Sequence, residues 1–375
     1  MNKINYFLLI SISLLFCMCK SQKNTAIFYD ENDNNRAKEI ETFNNQLFIL
    51  GQHHLIENDI EKCVTILCLD TLVKKNWEIN LGDRKKRESF ENFTIDKKGN
   101  FYVTGYNDGT KSALLLKINP TGQIIWQKEF RDILSLNEIR CANDTSIIVV
   151  GVYNYTKSES ELIKDSSFIQ KIDSSGNTIW KQPICKNGTI RFLELSDNKI
   201  IFCSNLADIT NLQLNSICYV LNMNGKFEQI ISLDQASTGI ELGVKVVQLK
   251  IDEKKRVNIF CMSHNTHVPK IKLVQIDLEK KKLLVLEYDK EIGKMNKKEN
   301  DKIFMFSGMV INEDKKETRA IVAKQNDEGE MYLSYVESDD ESYITSVELN
   351  NSTYSIGNRF VPGEFKSKWI VKKEN

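Results

Sequence analysis

Two stretches of the chain follow the same order of apolar and polar positions. The first, ALLLKINPTGQIIWQKEF, starts at Ala113, and the second, SFIQKIDSSGNTIWKQPI, starts at Ser167. In each, an apolar strand pattern is followed by Asn or Asp, a turn containing Gly, and a second strand pattern that carries Trp. An Asx side chain that bonds the main chain two residues on, followed by Gly at positive φ, makes a tight turn between strands.

The same spacing recurs along the chain. An acidic or Asn residue lies seven positions before Trp, or before the residue equivalent to it, in six pairs: Asp70/Trp77, Asn119/Trp126, Asp173/Trp180, Asn222/Gln229, Asp277/Leu284 and Glu337/Ile344. Successive pairs are 49, 54, 49, 55 and 60 residues apart. A repeat of this length with strand periodicity is typical of the four-stranded blades of a β-propeller.

The strand patterns inside each unit also recur. The second strand of a unit is apolar at consecutive positions, as in LFILGQHH, FYVTGYND and IIVVGVYN. Such runs indicate strands that are covered on both faces. The Trp on the fourth strand is therefore expected to fill space between neighbouring blades.

Six units extend from about Ala37 to Asn350, and the chain ends with SKWIVKKEN, which has the pattern of a third strand. An extra strand is predicted at Thr25 to Glu31. Pairing this strand with the C-terminal strand closes the ring and protects two sheet edges. The sequence thus predicts an all-β fold, a single propeller over residues 25–375. Seven blades are favoured, the last assembled from both ends of the chain, with six as the alternative.

The N-terminus predicts export. Tyr6 to Met18 is an uncharged apolar run that rises only about 20 Å as a helix, less than the roughly 30 Å hydrocarbon layer. A secretory signal over residues 1–18 is therefore favoured over a membrane anchor.

The following LLFCMCKSQK resembles a bacterial lipoprotein signal, which implies a lipid on Cys19, a linker over residues 19–24 and an envelope location. Met18 departs from the small residue expected there. Cys17 as the lipid site and an ordinary secreted protein remain the alternatives.

Composition limits the partners. The 51 basic and 51 acidic side chains cancel, so no net field favours nucleic acid. We expect the lipid to hold the protein at the outer membrane of a Gram-negative envelope. The segment KSQKN lacks acidic residues, which favours the periplasmic side over the cell surface.

The other cysteines do not form close pairs in the sequence. They are Cys63, Cys68, Cys141, Cys185, Cys203, Cys218 and Cys261. Cys203 and Cys261 lie inside strand patterns, where Cys behaves as a small buried hydrophobe. Buried thiols are expected, and one disulfide after export stays open.

Two candidate metal sites have incomplete sets of ligands. The four histidines follow second strands: His53 and His54 in the first unit, His264 and His267 in the fifth. Neither pair has flanking carboxylates or thiols that complete a zinc site, and surface-loop histidines are expected. Asp30, Asn32, Asn34 and Glu41 match calcium-loop positions, but Asn35 replaces the required Gly. A hydrated loop before the first blade is expected instead.

The Asp–Gly–Trp spacing of Asp173, Gly176 and Trp180 resembles the propeller repeats of the quinoprotein-like superfamily. Asn119 stands for the Asp in the unit of Trp126. The resemblance implies relatives that include quinone-dependent dehydrogenases and envelope scaffolds, and the fold does not choose between them.

No catalytic, cofactor-binding or metal-binding residue is assigned. We expect a non-catalytic binding or scaffolding lipoprotein that holds a protein or glycan with loops on one propeller face. The alternative is a quinone-dependent oxidoreductase or a glycan-active enzyme with its site at the central channel.

Overall fold

A computed structural model describes the fold. It describes residues 24–28, 36–54, 62–81, 88–142, 146–153, 166–186, 188–208, 213–233, 244–251, 255–263, 271–278, 280, 282–288, 302–312, 317–325, 331–335, 341–350, 352–360 and 367–374. All regular elements in these ranges are β-strands. These ranges therefore contain no helix that is long and apolar enough to cross a membrane.

The described strands form seven antiparallel sheets. One strand precedes the first sheet in the chain: β1 (Asn24–Phe28). The first sheet contains β2 (Arg36–Phe43), β3 (Gln46–His54), β4 (Lys62–Leu69) and β5 (Lys75–Leu81). The second contains β6 (Glu88–Ile95), β7 (Phe101–Asn107), β8 (Ser112–Ile118) and β9 (Ile124–Phe130). The third contains β10 (Ile133–Cys141), β11 (Ser146–Tyr153), β12 (Ser166–Asp173) and β13 (Thr178–Lys186).

The remaining sheets follow the same order. The fourth contains β14 (Gly188–Ser196), β15 (Lys199–Asp208), β16 (Gln213–Asn222) and β17 (Phe227–Ser232). The fifth contains β18 (Val244–Ile251), β19 (Arg256–Ser263), β20 (Ile271–Asp277) and β21 (Lys282–Tyr288). The sixth has three described strands, β22 (Lys302–Asn312), β23 (Glu317–Gln325) and β24 (Met331–Tyr335). The seventh contains β25 (Glu341–Leu349), β26 (Ser352–Phe360) and β27 (Ser367–Glu374), with β1 as its fourth strand.

The first strand of each sheet, here called the inner strand, contacts the inner strands of both neighbouring sheets. The ring of contacts runs β2, β6, β10, β14, β18, β22, β25 and back to β2. In the seventh sheet β1 pairs with β27 in an antiparallel register from Asn24↔Lys373 to Phe28↔Trp369. The N-terminal strand therefore pairs where the sequence predicts. The protein is an all-β propeller.

The hydrophobic core is divided among the spaces between neighbouring sheets. One cluster joins the second sheet to the third through Tyr102, Leu115, Ile139 and Phe168, and comparable clusters fill other spaces between sheets. The second strand β7 is buried at its first five positions, because each of its faces packs against such a cluster. Consecutive apolar runs in the sequence thus correctly predict strands covered on both faces.

The Asx turns lie between the third and fourth strands of the sheets. The spacing of seven residues in the sequence corresponds to one cross-strand pair that recurs from sheet to sheet. Trp126 pairs with Lys117, two residues before Asn119. The equivalent cross-strand pairs are Cys68↔Trp77, Lys171↔Trp180, Val220↔Gln229 and Gln275↔Leu284. In the turn of the third sheet, Asp173 Oδ1 accepts from the main-chain N–H groups of Ser175 and Asn177. Those bonds stabilise the ionised carboxylate, and the bond from Asn177 contributes most to lowering the pKa of Asp173.

The sixth predicted pair is wrong. Ile344 lies in β25, the inner strand of the seventh sheet, instead of in an outer strand of the sixth; its partner Glu337 lies outside the described residues. Apolar periodicity and spacing alone do not distinguish an inner strand from an outer one. The loop predicted over the calcium-like segment is also wrong at its end, because β2 begins at Arg36 and Glu41 is a strand residue.

Candidate functional site

Six of the seven inner strands carry a one-residue bulge at the same place in the sheet. The bulged residues are Lys38, Glu91, Asn137, Arg191, Val247 and Ile344. A bulge adds one residue on one strand, bends that strand and redirects the side chains that follow. The residues one and three positions after each bulge share a face of the inner strand, since side chains alternate along a strand.

Small residues of the second strand make room for these bulges. The partner just before the bulge is Gly51, Gly105, Gly151 or Gly357 in four of the sheets. A Cβ added at Gly105 would lie 2.4 Å from the carbonyl oxygen of Ser89, and one at Gly151 would lie 2.3 Å from that of Ser135. At Gly105 and Gly151 the inner strand approaches the second strand so closely that a larger residue does not fit without movement.

Side chains of the preceding sheet bind carbonyls at the bulges. Lys38 Nζ donates to the carbonyl of Phe90 at 2.9 Å, and Asn137 Nδ2 donates to that of Ile190 at 3.1 Å. Each accepting carbonyl belongs to the residue immediately before a bulge. A bulge interrupts the hydrogen bonds between two strands, and a buried main-chain carbonyl without a hydrogen bond costs free energy. The bonds from Lys38 and Asn137 provide donors for two such carbonyls. They also fix one inner strand against the next.

The residues after the bulges bring charged and polar side chains of four sheets together. We call this the carboxylate–arginine cluster: Glu39 and Glu41 of β2, Asn92 of β6, Glu138 and Arg140 of β10, and Glu194 of β14. Arg140 Nη1 lies 3.4 Å from Glu138 Oε2, and its Nη2 lies 3.8 Å from Glu194 Oε1. Asn92 Nδ2 donates to Glu138 Oε2 at 2.9 Å. The cluster therefore lies on the inner strands, the ring of strands at the centre of the propeller.

The electrostatics of the cluster oppose full ionisation. The pKa of Glu138 is raised from its ordinary 4.5 to about 8. Burial is the largest cause and the carboxylates of Glu39 and Glu194 add to it, while Arg140 and Asn92 act in the opposite direction. Glu138 is thus mostly protonated at neutral pH. Burial lowers the pKa of Arg140, but nearby carboxylates outweigh burial and hold it above its ordinary value. They belong to Glu194, Glu138, Glu39 and Glu41. The guanidinium stays charged.

One acceptor in the cluster lacks a partner among the described residues. The Asn92 side chain is 5% exposed, and its Oδ1 is buried without a hydrogen bond. An unsatisfied buried acceptor costs about 1–3 kcal/mol. Buried polar atoms in folded proteins are nearly always satisfied, so an orphaned one indicates a missing donor. The amide that carries this oxygen lies against Glu138, within the cluster.

Of the sequence-predicted site residues that the structure describes, one belongs to this cluster. His53 and His54 are the last residues of β3, while His264, His267, Asp30, Asn32, Asn34, Cys17 and Cys19 lie outside the described residues. Glu41, noted as a calcium-loop position, belongs to the cluster instead. Within the described part of the chain, no group of three His, Cys, Asp or Glu residues is arranged to hold a metal ion.

The thiols described are those of core residues. Cys68, Cys203, Cys218 and Cys261 are buried thiols, and Cys141 is partly exposed. Burial raises the pKa of the Cys141 thiol to about 12, despite a hydrogen bond with Thr94 that lowers it. This thiol lies beside the cluster and stays protonated, so it does not act there as a nucleophile.

Comparison with solved structures gives the fold. The chain is similar to virginiamycin B lyase from Staphylococcus aureus with a TM-score of 0.55, 10% identity, and coverage of 93% of this chain and 98% of that one. Polysaccharide lyase Uly1 gives a TM-score of 0.56 at 10% identity, covering 90% and 89%. The β-propeller domain of the Trilobed protease from Pyrococcus furiosus gives 0.54 at 9% identity, covering 93% and 96%. No family model and no curated protein matches the chain.

Proposed function

We propose that the protein is a binding propeller whose carboxylate–arginine cluster holds a cationic group of its ligand, a primary ammonium or a guanidinium. The observation that carries this proposal is the buried, unpartnered Asn92 Oδ1 inside the cluster. An ammonium or guanidinium supplies only donors. Such a cation suits the cluster, because the hydrogen-bond acceptors there, the carboxyl oxygens and Asn92 Oδ1, outnumber the hydrogen-bond donors.

Charge supports the same ligand class. Four carboxyl groups of the cluster face one guanidinium, and with Glu138 protonated three carboxylates remain against Arg140. Partial burial strengthens the field of these charges because water screens them less. At register positions equivalent to these, the fifth sheet contributes Gln248 and Lys250 on β18.

The proposed binding function is the one expected from the sequence, while the proposed location differs from that expectation. That expectation placed the ligand on loops of one face, and most residues between second and third strands, such as 55–61 and 154–165, lie outside the described residues. The cationic group has two sources, a free amine or a basic side chain of a protein partner. Titration calorimetry with spermidine and with trilysine separates them.

In this titration we expect saturable binding of at least one probe, weakened about tenfold by Glu194→Gln, a loss of about 1.4 kcal/mol. Glu228→Gln is the matched control, because Glu228 lies on an outer strand and is exposed. Binding of trilysine alone identifies a protein partner, and binding of spermidine identifies a free amine. Absence of binding by both probes, or an equal loss in both variants, contradicts the proposal.

A second candidate is favoured by Glu138. A carboxylic acid that is protonated at neutral pH can act as a general acid. Arg140 contacts both Glu138 and Glu194, so a second carboxyl group lies nearby, as in a pair of catalytic carboxyl groups. Two of the structures similar in fold are lyases. This candidate is a glycan-active enzyme at the central channel. Turnover of oligosaccharides that is lost in Glu138→Gln supports it, and ligand binding without turnover favours the binding protein.

We place this binding protein in the bacterial envelope, as the sequence suggests. A lipid on Cys19 would tether the propeller to the outer membrane, with the periplasmic side favoured. The repeat resemblance to the quinoprotein-like superfamily supports this setting through its envelope scaffolds. The quinone-dependent alternative rests on that resemblance alone.

A further inference from the structure

Two buried cysteines of the fourth sheet lie opposite each other on adjacent strands. Cys203 of β15 and Cys218 of β16 are direct register partners, and they are 1% and 0% exposed. Directly opposed residues of an antiparallel pair have Cα atoms about 4.5–5.5 Å apart. A disulfide needs Cα atoms about 4.4–6.8 Å apart. The usual Cα spacing of such a pair therefore falls within the range of a disulfide.

The side chains also point the same way. Opposed residues project from the same face of a sheet, and both thiols belong to the core cluster between the fourth and fifth sheets. Burial raises the pKa of the Cys203 thiol most, and the neighbouring Cys218 thiol raises it further. The two side chains therefore lie next to each other in the fourth sheet.

A third thiol enters the same space from the opposite sheet. Cys261 of β19 belongs to the same cluster, and its strand partners are Val246 and Lys272. Packed sheets lie about 10 Å apart, beyond the Cα separation of a disulfide. Among these three thiols, strand pairing therefore places Cys203 and Cys218 opposite each other and pairs Cys261 with other residues.

We propose that Cys203 and Cys218 form a cross-strand disulfide when the chain folds in the presence of a thiol–disulfide oxidant. The two thiols lose two protons and two electrons as the S–S bond forms. The oxidant, a disulfide itself, accepts the electrons and is reduced to two thiols. Burial raises the pKa of the Cys203 thiol, so little thiolate exists in the folded state. The bond is therefore expected to form while the strands are still accessible.

Refolding of the full chain in a glutathione redox buffer tests this site, followed by alkylation and peptide mapping. The expected product is a cross-link between the peptides of Cys203 and Cys218, lighter by two hydrogen atoms than the sum of the reduced peptides. Cys203→Ala and Cys218→Ala remove the cross-link, and Cys261→Ala keeps it.

Alkylation of both Cys203 and Cys218 in the refolded protein, or a bond from either residue to another cysteine, overturns the proposal. The wild-type peptide map gives this answer even if a variant fails to fold. Cys68 is an internal control, because it is buried in the first sheet and is expected to be alkylated only after unfolding.

Discussion

The indole N–H of Trp126, on the outer strand of the second sheet, donates to the main-chain carbonyl of Ser174 in the turn of the third sheet, at 3.0 Å. Trp180 repeats the contact one sheet further on, donating to the carbonyl of Met223 at 3.1 Å. The recurring Trp therefore joins each of these sheets to the turn of the next. The repeat in the sequence is a repeat of contacts between sheets.

Replacing Trp126 by Phe is expected to destabilise the protein by about 1 kcal/mol, the usual net value of one hydrogen bond. The loss is modest because Lys117 Nζ also donates to the Ser174 carbonyl, at 3.2 Å. Urea unfolding followed by circular dichroism measures it. Ile125→Val, at an exposed neighbouring position, is the control. An unchanged midpoint in Trp126→Phe would show that the contact between sheets contributes nothing.

Gly105→Ala is expected to destabilise the protein by about 1–3 kcal/mol, the typical cost of overpacking. The added methyl group would meet the Ser89 carbonyl and the Phe90 ring at 2.4 and 2.5 Å, so the bulge on the inner strand must shift. Gly109→Ala, in an exposed turn of the same sheet, is the control for adding a methyl group to a glycine that is not packed. Equal thermal unfolding of both variants would mean that the bulge tolerates a side chain.

The raised pKa of Glu138 makes stability depend on pH. Below its ordinary pKa of 4.5 the residue is protonated in both folded and unfolded chains, and between 4.5 and about 8 only the folded protein keeps the proton. The contribution of Glu138 to the free energy of unfolding is thus fully present at low pH and is lost as pH rises through about 8.

Glu138→Gln removes this titration. We expect the variant to be more stable than the wild type by about 1–3 kcal/mol at about pH 8, with the difference shrinking towards about pH 5. Urea unfolding across this range measures the effect, and Glu228→Gln should keep the wild-type slope. A slope unchanged in Glu138→Gln would place the pKa of this carboxyl near its ordinary value.

The repeating part of the fold was predictable because its chemistry is local. Asn119, Gly122 and Trp126 lie within one turn and the strand after it, so their spacing is visible in the sequence. The false pair at Ile344 arose since an inner strand and an outer strand share the same apolar alternation. Only the register shows that Ile344 is a bulged residue of an inner strand.

The cluster was not predictable for the opposite reason. Asn92, Glu138 and Glu194 come from three different sheets, and no spacing along the chain relates them. A weak signal did exist, because Gly105 and Gly151 mark second strands that lie against a bulge. The bulge then determines which residues of the inner strand, such as Glu138 and Arg140, share one face.

The lipid on Cys19 stays a prediction of the sequence. Mass spectrometry of the mature N-terminus, after expression of the full chain in a Gram-negative host, is expected to show a lipid-modified Cys19 as the first residue. A Cys19→Ser variant should lose the lipid and leave the membrane fraction. An unmodified N-terminus further along the chain would instead indicate an ordinary secreted protein.

The most direct test of the binding account is a crystal structure of the protein with spermidine or trilysine. The account predicts an amine nitrogen within about 2.7–3.2 Å of Asn92 Oδ1, with a carboxyl oxygen of Glu138 or Glu194 as a second contact. A structure in which water or a protein group satisfies Asn92 Oδ1, and the amine binds elsewhere or not at all, would contradict it.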